Sequence, residues 1–120
     1  MTEISLDGRT LAGVANGEDG EVSAETRFRF EQDGERISAT YAGGDVADGY
    51  LVGTLDGGEW DVRYVQMNAD GETATGHSVG TVTLLDDGRV RVEDVWEWES
   101  RDGAGESVLE EVDGAQRSRR

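Results

Sequence analysis

Apolar and polar residues alternate with a period of two along most of this chain, the spacing of β-strands whose successive side chains point to opposite faces. In Thr26-Arg27-Phe28-Arg29-Phe30-Glu31 the two phenylalanines share one face and the charges the other. Ile37, Ala39 and Tyr41 alternate with Ser38 and Thr40, and Trp60, Val62 and Tyr64 with Asp61 and Arg63. The longest run covers residues 89–99, where Val90, Val92, Asp94, Trp96 and Trp98 fall on one face and Arg91, Glu93, Val95, Glu97 and Glu99 on the other. A helix would need apolar residues at helical spacing over a glycine-free window, and with 18 glycines no segment supplies one.

Turn signals separate these segments. Nine Asp-Gly pairs and one Asn-Gly stand at 7–8, 16–17, 19–20, 33–34, 48–49, 56–57, 70–71, 87–88, 102–103 and 113–114. Two-residue hairpin turns need positive φ, which Gly adopts freely and Asp tolerates better than most residues. Eight strands follow, near 9–15, 26–32, 36–42, 49–55, 59–68, 73–85, 89–100 and 106–112. A flat meander of that size would leave two unpaired edges and, without a helix, an uncovered apolar face. Closure into an antiparallel up-and-down barrel removes both problems, and is expected here ahead of a two-sheet sandwich. An eight-stranded barrel has an interior that side chains nearly fill, or that holds one small ligand. Glycines within the strands, at 53, 76 and 80, mark bends or close backbone approach. The last strand reads two ways, since Ser107–Val112 can bury either Val108 and Val112 or Leu109.

Composition narrows the setting. The chain of 120 residues has neither proline nor cysteine, so disulfides and cysteine-based metal or redox sites are excluded. It reads as one barrel domain over 1–115, followed by a basic tail, Gln116-Arg117-Ser118-Arg119-Arg120, expected to be disordered. The first residues lack a basic, apolar leader, and no window approaches the apolar length of a membrane helix, so a cytoplasmic location without membrane contact is expected. Charge is the more informative property: 27 acidic residues face 11 arginines and no lysine, for a net charge of −16. The acids are spread along nearly the whole chain rather than gathered in a block. Such a surface repels nucleic acid, and repels itself except where salt screens it, so a halophilic protein is expected.

The blocks Asn16-Gly17-Glu18-Asp19-Gly20-Glu21-Val22-Ser23, Tyr41-Ala42-Gly43-Gly44-Asp45, Gly49-Tyr50-Leu51-Val52-Gly53, Arg63-Tyr64-Val65-Gln66, Trp96-Glu97-Trp98 and Gly105-Glu106-Ser107-Val108-Leu109-Glu110-Glu111 carry a family resemblance. Over nearly its whole length the chain resembles a small uncharacterised family of bacterial and archaeal proteins. The resemblance implies a calycin-type barrel, related in shape to lipocalins and avidins, and members sometimes bear the name N-acetylglutamate synthase. It implies no catalytic residue. The residues themselves do not supply an acetyl-coenzyme A site: in Arg101-Asp102-Gly103-Ala104-Gly105 the glycine spacing misses the acetyltransferase turn, and no helix follows.

Other chemistry is sparse. His77 is the single histidine and has no partner for zinc or haem, and the acidic stretch 16–21 fails calcium-loop spacing at its first position, so no cofactor or metal is expected. Asp94 is the unusual residue, because strict alternation puts its carboxylate on the apolar face between Val92 and Trp96. It could form the polar floor of an aromatic pocket with Tyr41, Tyr64, Gln66, Trp96 and Trp98, binding a small molecule. It could serve there as a general acid or base, be held in a purely structural hydrogen bond, or be turned outward by a β-bulge at Glu93-Asp94. Three functions remain open on these grounds: a non-enzymatic small-molecule-binding barrel, expected first; an enzyme on the same scaffold using Asp94; and a barrel with a filled core that works through protein contacts. The sequence carries no signal for oligomeric state.

The charge makes a direct prediction. Circular dichroism melts should show the melting temperature rising from ~0.1 M to ~2 M KCl, since the Debye length falls several-fold over that range. An unchanged melting temperature contradicts the halophilic reading.

Overall fold

The computed structural model describes residues 4–16 and 20–112. The turn pairs at 16–17, 19–20 and 113–114, both ends of the expected 1–115 domain and the tail 116–120 involve residues outside this range. Eight strands run in order: β1 (Thr10–Asn16), β2 (Arg27–Asp33), β3 (Arg36–Gly43), β4 (Val46–Asp56), β5 (Glu59–Asn68), β6 (Thr73–Leu84), β7 (Val90–Trp98) and β8 (Ala104–Glu111). Each pairs antiparallel with the next, and β8 returns to β1, so the sheet closes into an up-and-down barrel. The expected fold class is the observed one.

Turn chemistry explains most boundaries. Between β4 and β5, Asp56 pairs with Glu59 across Gly57 and Gly58, whose φ angles of 62° and 83° suit a two-residue turn that needs positive φ twice. Every positive φ among the described residues belongs to glycine, so the aspartates of the Asp-Gly pairs do not share that role as expected. Asp48-Gly49 corrects the sequence reading further, because it is no turn at all. The β3–β4 reversal is made at Gly44-Asp45, and β4 starts at Val46 rather than at 49. Gly49 sits in the strand because the Tyr41 ring lies against its Cα, where a Cβ would collide with it. Close approach also accounts for Gly53 against Val62, Gly76 against Tyr64, and Gly80, where a Cβ would stand 2.7 Å from the Asp94 Cβ.

The interior differs between the two ends. At one end Leu6, Leu11, Phe30, Ile37, Val90 and Val92 are buried together. The segment before β1 plugs this end: the Leu6 amide donates to Gln32 Oε1 at 2.8 Å, and the Gln32 amide donates to Asp7 Oδ1 at 2.9 Å. The register of β8 settles on Leu109 inward with Ser107 and Glu111, leaving Val108 and Val112 half-buried. Glu111 is a buried carboxylate, and it accepts from Arg9 Nη1 at 2.7 Å and from the Val90 amide at 3.1 Å. Its charge is thus met by a cation and a backbone donor, as a buried carboxylate requires. Towards the other end the inward positions become aromatic and polar.

Candidate functional site

Strand β7 carries that change along its inward face. Val90 and Val92 are fully buried in the packed end, Asp94 follows, and Trp96 and Trp98 continue towards the opposite mouth. Pairing of β7 with β6 and with β8 is unbroken through Glu93 and Asp94, so there is no bulge and the carboxylate points inward, only 8% exposed. Two serines meet it. Ser107, directly opposite on β8, donates to Asp94 Oδ1, and Ser78 of β6 donates to Oδ2 at 2.5 Å. Ser78 in turn accepts from the Trp60 indole N–H at 3.0 Å. Burial pushes the Asp94 carboxyl above the usual aspartate value of 3.8, while the hydrogen bonds from Ser107 and Ser78 oppose that shift.

A second chain of hydrogen bonds spans the mouth. The Tyr41 hydroxyl donates to Gln66 Oε1 at 2.9 Å, and Gln66 Nε2 donates to Glu21 Oε1 at 2.8 Å. Asn68 Nδ2 donates to the other Glu21 oxygen at 3.0 Å, and Arg101 approaches that oxygen at 3.6 Å. Arg101, in the β7–β8 connection, also lies over the Trp98 ring, 4.3 Å from its centroid. Residues 20–22 of the β1–β2 connection thereby reach over the barrel end. Tyr64 stands half-buried beside them, edge-on to Trp98. Burial holds both phenols protonated far above the usual tyrosine range; the neighbouring Tyr64 and Glu21 add to the effect on Tyr41, and Asp94 adds to it on Tyr64.

Between floor and mouth lies a cavity of about 60 Å³. A water needs roughly 10–15 Å³ on this measure, so the space takes several waters or one small molecule. Tyr41, Tyr64, Gln66, Asp94, Trp96 and Trp98, the six residues expected at a pocket from the sequence, all line it. The sequence reading missed Phe28, Trp60, Ser78, Ser107 and Glu21, which line it too. Phe28 and Trp60 were visible as inward positions of their strands. Ser107 was hidden by the ambiguous register of β8, and Glu21 comes from a connection without periodicity. His77 is not at the site: it faces the outer wall of the barrel, its Nε2 2.6 Å from Asp61 Oδ1.

A family model for avidin-like proteins matches residues 4–112. The chain belongs to the avidin-like family. No curated protein and no solved structure matches it. The avidin-like barrel therefore carries, at one end of a closed sheet, a buried carboxylate fixed by two hydroxyls and walled by aromatic rings.

The serines should matter in a pH-dependent way. Because Asp94 titrates above its unfolded value, its ionisation costs stability: the fold is favoured below the unfolded pKa, and that advantage is lost as pH rises through the folded pKa. Ser78→Ala and Ser107→Ala should each cost about 1–3 kcal/mol at neutral pH, where the carboxylate needs its donors. The cost should shrink as acid protonates Asp94. Urea unfolding of each variant against wild type from pH 7 down to pH 4 checks this, and a cost independent of pH contradicts it.

Proposed function

We propose that this protein is a non-enzymatic small-molecule-binding barrel whose ligand sits between Asp94 and the tryptophans. One observation carries the reading: the barrel is packed at one end and left open inside at the other, and the open part holds a buried carboxylate facing aromatic walls. Packing alone would favour an aliphatic side chain at position 94, since a buried carboxylate is retained at a cost to stability. Membership of the avidin-like family, whose barrels hold small ligands, supports the same reading. The proposed setting is a salt-rich cytoplasm, on the strength of the net charge of −16 and the absence of lysine.

A general acid or base at Asp94 is the second reading, favoured by its raised carboxyl pKa. Against it, each carboxylate oxygen already holds a serine hydroxyl, an arrangement that fixes the group in place rather than passing a proton onward.

Tryptophan fluorescence tests the binding reading, because Trp60, Trp96 and Trp98 all line the cavity. A library of small polar and aromatic compounds should contain members that change the emission of wild type saturably. Asp94→Leu should keep the β circular dichroism spectrum and lose the response. No saturable change from any compound, or an unchanged response in folded Asp94→Leu, overturns the proposal.

A further inference from the structure

The chemistry of the cavity selects among small molecules, and this step rests on the binding reading above. The charged side chains among its described lining residues are Asp94 and Glu21, and no arginine, lysine or histidine joins them. Six aromatic rings complete the wall: Phe28, Tyr41, Trp60, Tyr64, Trp96 and Trp98. A cation is drawn both to a carboxylate and to the face of an aromatic ring, and the second attraction strengthens as water is excluded. The protein already makes such a contact at the mouth, where the Arg101 guanidinium lies over Trp98 and approaches Glu21.

The direction of the hydrogen bonds points the same way. An ionised Asp94 has no proton to give, so the hydroxyl hydrogens of Ser78 and Ser107 are both committed to it, and the Trp60 N–H is committed to Ser78. The floor thus faces the cavity with lone pairs: those left on the Asp94 oxygens and those of the serine hydroxyls. A ligand that donates is satisfied there. An anion or a pure acceptor would meet like charge and lone pairs, with no donor on the floor to receive it.

We propose that the cavity takes a small aliphatic ammonium ion of about four to six heavy atoms, its N–H groups directed at Asp94 and its alkyl part against the tryptophans. The size follows from the volume of about 60 Å³, room for several waters. Burying an ammonium ion is costly by itself, and the carboxylate compensates for it. In return, the cation offsets the cost that burial places on the ionised form of Asp94.

Three probes of nearly equal shape separate the possibilities: butylammonium, 1-butanol and butyrate. Each is titrated into ¹⁵N-labelled protein while the indole N–H resonances of the tryptophans are followed. The titration runs in ~1 M KCl, where a Debye length of about 3 Å removes general attraction to the acidic surface. Butylammonium should bind about tenfold or more tighter than 1-butanol, equivalent to about 1.4 kcal/mol, and butyrate should not bind. In Asp94→Asn the ammonium preference should fall to near unity. Equal or tighter binding of 1-butanol or butyrate in the wild type overturns the ammonium assignment while leaving the binding cavity intact. Retention of the preference by folded Asp94→Asn overturns the role given to that carboxylate. Indole resonances unmoved by all three probes overturn the ammonium proposal together with the cavity reading beneath it. The wild-type comparison needs no variant, so the test stands even if Asp94→Asn does not fold.

Discussion

Closure of the sheet is the constraint on which everything else here depends. The described residues contain no helix, so the apolar face of eight strands has nothing to cover it but itself. Pairing of β1 with β8 provides that cover and removes both sheet edges at once. Once the sheet is closed, inside and outside are assigned residue by residue by the two-residue period. An inward polar side chain is then committed to the interior unless the strand breaks register. Through β7 the strand does not, and Asp94 is buried for that reason.

What surrounds Asp94 determines whether this burial can be sustained. Two hydroxyls donate to it, one from each flanking strand, and an indole N–H orients one of those hydroxyls. This is a local solution: the neighbours of β7 bring the donors, and no cation among the described residues pairs with the carboxylate. Glu111 shows the other solution within the same barrel, since its buried carboxylate is met by Arg9 and a backbone amide at the packed end. The contrast matters for function. Glu111 has its own ion pair with Arg9, whereas among the described residues the Asp94 carboxylate holds hydroxyl donors without a countercharge, and it lines the cavity.

Much of this was legible in the residues. Alternation from Val90 to Trp98 placed Asp94 and both tryptophans on one face, and turn pairs such as Asp56-Gly57 separated the strands. Three features were harder to read, each for a physical reason. Asp48-Gly49 carries the same turn signal as the true hairpins, yet its glycine answers to the Tyr41 ring packed against it, a contact between strands that one strand's sequence does not display. Ser107 sits in a segment where either face could be buried, and its register is decided by β1 and β7 rather than by its own pattern. Glu21 and Arg101 lie in connections, where periodicity carries no information, and they meet only because the barrel brings those two connections to the same end.

Burial of the Asp94 carboxyl on the inner face of the barrel is the point on which the site turns, and a titration of that one group tests it most directly. Carboxyl ¹³C chemical shifts, assigned by comparison with Asp94→Asn and followed against pH, report its ionisation in the intact protein. The account predicts a midpoint above the usual aspartate value of 3.8, since burial outweighs the two serine hydrogen bonds. A midpoint at or below that value would contradict it, by placing the carboxylate in water or beside a cation.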